Sequence, residues 1–278
     1  MGWGATIWVI LFRPFKLIEA VKAGQVTLWR ILGVTLGSVV LAVLAALLIR
    51  VVALEAFKVP AGSMFPSVEI GDHLFVTKGT YGFFEKSAPA RGDVVVFVYP
   101  DPNPNAERYD YVKRVIAVAG DELSFESGVP IVNGWRVPSC RLGQASATLG
   151  NDSQAGDYEV FVEFLEGKAY LVAFEQGRND GQQGPYQVKP GEFWVAGDNR
   201  NNSSDSRAWN GGRGAGVPFE NLKGRARWLW LPSERLGIDL AAAPVLPQVF
   251  AQLASELERC LKAAPDLAHT TPPPASAH

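Results

Sequence analysis

The longest unbroken apolar stretch is "ILGVTLGSVVLAVLAALLI", residues 31–49, which holds no charge between Arg30 and Arg50. As a helix rising about 1.5 Å per residue, it is long enough for a hydrocarbon core about 30 Å thick. The pattern therefore predicts a transmembrane helix over residues 31–52. The run starts too late, and exceeds the ~7–15 apolar residues, for a cleaved signal peptide. The opening "MGWGATIWVILF" is apolar but short, so residues 1–30 read as a cytoplasmic or interfacial segment.

Beyond residue 53 the period changes. "HLFVTK" (73–78), "GDVVVFVY" (92–99) and "YVKRVIAVAG" (111–120) are short β-branched and aromatic runs bounded by turn residues, the signature of strands. "DPNPNAERYD" (101–110) is a loop by its Asp, Pro and Asn content. Residues 122–190 are more polar and Gly-rich, with candidate strands at 131–137, 158–164 and 169–174, and read as an inserted second lobe. "GEFWVAGDNRNNSSDSR" (191–207) runs from an apolar strand into a very polar turn, and "ARWLWLP" (226–232) reads as a closing strand. The expected fold is mainly β, with a core from residues 53–121 and 191–235 behind an N-terminal membrane helix. Within a C-terminal helical region (236–264), Phe250, Leu253, Leu257 and Leu261 share one helical face. The tail 265–278, with "TTPPPASAH", predicts disorder.

Composition narrows the function classes. A formal net charge of −2 over 278 residues lacks the basic excess of a nucleic-acid binder, so no nucleic-acid partner is expected. Three histidines and two cysteines, unclustered, argue against a metal site. Cys140 and Cys260 could pair in an oxidising compartment, but their spacing alone decides nothing. Arg13, Lys16, Lys22 and Arg30 outweigh Glu19 before the span, while Arg50 and Lys58 meet Glu55, Glu69 and Asp72 after it. The positive-inside tendency keeps the N-terminal side in the cytoplasm and exports the rest. Phe57, Phe65, Tyr81, Phe83 and Phe84 are then candidates to dip into the outer interface.

The stretch "FKVPAGSMFP" (57–66) places Ser63 in a flexible step inside an apolar run, just past the span. A serine hydroxyl attacks only when a base takes its proton. His73 lies nearby but has no acidic partner at recognisable spacing; His269 and His278 sit in the tail. A lysine serves if burial lowers its pKa by two to three units from about 10.4. In "YVKRVIAVAG", alternation puts Tyr111, Lys113, Val115 and Ala117 on one face and Val112, Arg114, Ile116 and Val118 on the other. Lys113 thus has apolar neighbours on both sides, although a strand-end lysine whose amine snorkels to water fits the same pattern. "GDNRNNSSDSR" (197–207) is either a solvated turn or a dense polar brace for such a site.

Taken together and in this order, "PAGSMFPSVEIGD", "RGDVVVFVYP", "YVKRVIAVAGD" and "GDNRNNSSDSR" behind an N-terminal span resemble the sequence boxes of the type I signal peptidases. The resemblance implies an antiparallel β catalytic domain on the outer, periplasmic face of a bacterial-type plasma membrane. It implies Ser63 as the acylating nucleophile and Lys113 as general base, with Ser203 bonded to the lysine amine. Asp198, Asp205 and Arg207 would support them, and Val59, Met64, Val68, Tyr111 and Val112 would line shallow pockets for small side chains. The substrates implied are signal-peptide-bearing preproteins, bound as an added strand and met at the lipid bilayer near the export translocon, with no cofactor. One departure stands out: Ala61 occupies the position where well-known bacterial members carry a serine that helps bind the oxyanion. That keeps open a membrane-anchored β-domain that binds exported polypeptides without cutting them. Self-cleaving repressor-type peptidases use a similar Ser/Lys pair but are soluble and bind DNA, which the span opposes.

Overall fold

The computed structural model describes residues 28–52, 54–82, 88–150, 155–178, 181–264, 266 and 269–274. The expected interfacial segment 1–30 therefore lies almost wholly outside the described residues. Leu28–Val52 is one α-helix of 25 residues (α1). Among the described residues, which leave out many of this helix's side chains, no helix is long and apolar enough to cross a membrane. The span thus rests on the sequence of 31–49.

Leu54–His278 forms a compact unit built of three antiparallel sheets. The largest contains β1 (Leu54–Lys58), β2 (His73–Thr77), β3 (Val94–Val98), β4 (Asp110–Val118), β12 (Glu192–Ala196), β13 (Val217–Pro218) and β14 (Leu222–Leu231). Their spatial order is β1-β2-β14-β3-β4-β12-β13. The segment between supplies β5 (Glu122–Glu126), β6 (Val129–Val132), β7 (Trp135–Arg136) and β11 (Gln182–Gln187) as one sheet. It supplies β8 (Ser139–Ala147), β9 (Gly156–Leu165) and β10 (Lys168–Glu175) as another.

The alternation read along β4 holds only for part of its length. Val195 pairs with Val115 but Trp194 with Ala117, so Ile116 is an extra residue on β4. Such a bulge reverses the phase of the side chains beyond it. Val115 and Val118 pack into the cluster with Phe97 and Phe193, whereas Ile116 and Ala117 join the one with Leu123 and Trp194. Lys113 and Arg114 precede the bulge, so the register that faces the site is preserved.

Two corrections follow from burial. Phe65 is 1% exposed and packs edge-on to Phe250 in the core of the inserted lobe. Tyr81 is 5% exposed and donates to Asp93 Oδ2 at 2.7 Å. Neither is free to enter a lipid interface, because each fills a cavity that its absence would leave open. Phe83 and Phe84 lie outside the described residues.

At the C-terminus, the 3-10 turn Gln248–Leu253 leads into α2 (Ala254–Lys262). Phe250, Leu253 and Leu257 bury against the lobe as their spacing predicts, and Cys260 shares that face. Cys260 is disulfide-bonded to Cys140 in β8, a pairing that sequence spacing had left open. The tail, expected to be disordered, is docked over 269–274. Thr270 is 2% exposed, its carbonyl accepts from Glu166 N at 2.7 Å and its hydroxyl from Gly167 N at 3.0 Å, while Pro273 O accepts from Asn133 Nδ2. Composition favoured disorder because it counts apolar residues; here the ordering comes from backbone donors of the β9–β10 turn that need acceptors.

Candidate active site

Ser63 lies in a single 3-10 turn, Gly62–Met64. Its two following neighbours diverge: Met64 enters the core of the large sheet with Val59 and Val68, and Phe65 enters that of the lobe with Tyr158. The turn is thereby pinned between two cores. Asn199 holds it from a third side, its backbone N–H donating to Ser63 O at 3.1 Å and its Nδ2 to Gly62 O at 3.2 Å.

Lys113 projects from β4 to the same place. Its Nζ lies 2.6 Å from Ser63 Oγ and donates to Val112 O at 3.0 Å. The residue is 4% exposed, and Nζ also stands 5.2 Å from the Tyr111 ring centroid. Burial lowers the amine's pKa to about 8, against the opposing pull of the Asp205 and Asp198 charges. The snorkelling alternative is thus set aside by the geometry: the amine points at a hydroxyl, away from water. Among the described residues His73 has no comparable approach to Ser63; its ring packs against Trp230 at 5.4 Å.

The polar turn 197–207 is buried at both ends, at 197–200 and 205–207, with Asn202 and Ser204 exposed between them, and its buried charges are paired. Asp198 receives Arg114 through two bonds of 2.8 and 2.6 Å, and Asp205 receives Arg207 through two of 2.8 Å. Burial pushes the Asp205 carboxyl up, but the Arg207 charge and hydrogen bonds from Arg207 and Gly197 N bring it below its ordinary value. Arg200, 1% exposed, pairs with Glu163 of β9 at 2.5 Å, which ties the turn to the lobe. Removing one partner of a pair this deeply buried leaves an uncompensated charge. Gly197 is required by crowding: a Cβ there would lie 2.3 Å from both Ser203 Oγ and Ser63 O.

Ser203 departs from expectation. Its Oγ is buried near Gly197 and makes no bond to the Lys113 amine. It has no partner of full hydrogen-bond geometry, yet is close enough to the Asp205 carboxylate to help keep it ionised.

Ser63 and Lys113 open onto a cavity of about 370 Å³ lined by Val59, Met64, Tyr111 and Val112. Val68 is the exception among the expected pocket residues. It is 0% exposed and packs beneath Met64 with Leu74 and Val94, so it shapes the floor without reaching the cavity. Ile70, Asp110, Leu149, Asn202 and Ser204 also line it and were not among the expected pocket residues. Asn202 and Ser204 were visible as part of the polar turn, but Leu149 carried no signal at all, coming from the inserted lobe.

Comparison with known proteins shows the family. Residues 32–231 match the family described as signal peptidase, peptidase S26. The chain is 34% identical over 203 residues to signal peptidase I of Pseudomonas fluorescens, covering 66% of this chain and 67% of that one. It is 32% identical over 210 residues to signal peptidase I of Pseudomonas aeruginosa, with the same shares covered. A solved signal peptidase I from Enterococcus faecalis V583 is 19% identical, covers 50% of this chain and 97% of its own, and superposes with a TM-score of 0.27, too low to argue from. A buried serine–lysine contact, a cavity beside it and a family match across most of the chain lead to one conclusion: the chain belongs to the signal peptidase I family, peptidase S26, the serine peptidases that remove signal peptides.

Proposed function

We propose that Ser63 is the nucleophile and Lys113 the general base of signal-peptide cleavage in this chain. The observation that carries the reading is the 2.6 Å approach of Lys113 Nζ, on a side chain that is almost wholly buried, to Ser63 Oγ. An extended preprotein segment lies in the cavity between the residues around Val59 and the start of β4, its small side chains over Met64 and Val112. Ser63 Oγ attacks the scissile carbonyl carbon while the neutral amine accepts the hydroxyl proton. The oxyanion forms against the Ser63 backbone N–H. The ammonium then returns its proton to the leaving amine, and water activated by Lys113 hydrolyses the acyl-enzyme. Asp198, Asp205 and Arg207 hold the polar turn in place behind the pair, and Ser203 serves that turn rather than the resting amine.

The membrane setting belongs to the same proposal. Residues 31–52 anchor the chain in a bacterial-type plasma membrane, with the peptidase unit on the outer face, as the flanking charges favour. A signal peptide held in the same bilayer meets Ser63 only about a dozen residues beyond the span, and a site of this kind would work beside the export translocon. The test is cleavage of a preprotein carrying an Ala-x-Ala site by the detergent-solubilised full chain and its Ser63→Ala and Lys113→Ala variants. Both substitutions are expected to abolish turnover; cleavage surviving either would sink the dyad.

A further inference from the structure

We propose that Leu149, in the turn after β8 of the inserted lobe, is a positioning residue for the cleavage: it covers the Gly62–Ser63 peptide and keeps water from the Ser63 backbone N–H that receives the oxyanion. The proposal rests on the Ser63/Lys113 reading above.

Leu149 lines the cavity that holds Ser63 and Lys113. Its Cδ1 lies 2.9 Å from where a Cβ on Gly62 would stand, and Ile70 Cδ1 lies 3.6 Å from the same point. Gly62 has an ordinary negative φ, so glycine is needed there for the close approach of Leu149 and not for a special backbone shape. Ile70 also abuts Gly150, its Cδ1 2.9 Å from the Cβ position there, so Leu149 and Gly150 wedge against it. Leu149 also packs against the buried cluster that contains Phe65 and Tyr158.

The backbone beneath is already sorted by role. Gly62 O accepts from Phe65 N and Asn199 Nδ2, and Ser63 O accepts from Asn199 N. Among the described residues the Ser63 N–H donates to no backbone acceptor. At Ala61 a methyl group stands where a hydroxyl donor was expected, so this single N–H carries more of the developing charge. A hydrogen bond to an oxyanion is stronger where water and its screening are excluded. An apolar cover therefore offsets part of what Ala61 lacks.

The experiment is steady-state cleavage by the full chain, with competent sites counted by an acylating inhibitor so that misfolded protein is not scored. Leu149→Ala should lower kcat about tenfold while changing KM less than about twofold, and Leu149→Met should retain most of kcat. Adding Ala61→Ser should shrink the Leu149→Ala penalty to about two- or threefold, because a second donor lessens dependence on the first. A rise in KM at constant kcat would overturn the proposal and make Leu149 a substrate contact. An undiminished penalty in the Ala61→Ser background would overturn it as well. If Ser63→Ala or Lys113→Ala still cleaves, the dyad itself fails; if both are dead and Leu149→Ala is silent, only the role of Leu149 fails.

Discussion

Asn199 and Ser63 are joined through the backbone: the amide of Asn199 donates to the Ser63 carbonyl at 3.1 Å, and its side chain reaches one residue further back to Gly62 O at 3.2 Å. Asn199 is fully buried and sits beside β10, where Ala173 donates to Asp198 O and accepts from Arg200 N. The Ser63 turn is therefore held by the same strand-like contact that joins the polar turn to the lobe.

Asn199→Ala removes the side-chain bond but keeps the backbone one. Stability should fall by about 1 kcal/mol, the net worth of one hydrogen bond. Turnover should fall by about 10- to 100-fold, since small displacements of a reacting group are costly. Urea unfolding and kcat measured on one preparation separate the two effects; a stability loss with unchanged kcat would show that the clamp does not aim Ser63.

The reaction should depend on pH in a defined direction, with Lys113 as the proposed general base. With its pKa near 8, only about one amine in ten is neutral at pH 7, so kcat/KM should climb as pH rises and level off above about 8. Stability follows the same group: between the folded value near 8 and the ordinary 10.5, the unfolded chain binds more protons, so stability rises with pH across that window. Below it the buried amine costs up to about 3 kcal/mol. Lys113→Met should therefore be inactive yet more stable at pH 7, with the advantage over wild type fading by about pH 10. Denaturant melts at the two pH values measure it.

The Cys140–Cys260 bond closes a loop of 120 residues across β8 and α2. In the chain-entropy view a loop of this length contributes about 4–5 kcal/mol. Reduction, or Cys260→Ala, should lower the unfolding midpoint and expose residues from about 247 onward to proteases before the sheets open. Limited proteolysis with and without reductant reads this directly; identical patterns would deny the disulfide a role in holding α2.

Truncation after Ala264 removes Thr270 and orphans the N–H groups of Glu166 and Gly167. The expected loss is about 1–3 kcal/mol of stability. Because none of the described tail residues lines the cavity, kcat should not change. A drop in kcat at temperatures where the truncated chain remains folded would contradict this assignment.

Sequence singled out Ser63 and Lys113, because strand alternation placed an amine among apolar residues and four ordered boxes resembled those of one family, and the fold brings the two side chains to 2.6 Å. It also outlined the large sheet, since β-branched runs bounded by turns are local signals. It misjudged Val68, Phe65 and Tyr81, for a hydrophobic residue near a site reads alike whether it faces the cavity or the core behind it. The phase reversal at Ile116 was hidden for a related reason: a bulge depends on the pairing with β12 and leaves no mark on β4 itself.

The chain's own order of residues determined which groups have the chemistry: a hydroxyl in a flexible turn, an amine in a greasy strand, and carboxylates with their arginines in one polar loop. Tertiary structure alone decided that Ser203 makes no bond to the Lys113 amine, that Cys140 meets Cys260, that Thr270 plugs the β9–β10 turn, and that Leu149 arrives over Gly62. The physical reason is range. Periodicity and turn chemistry act over a few neighbouring residues, whereas each of these contacts joins segments far apart in the chain, and only the packing of the two cores around the Ser63 turn brings them into reach.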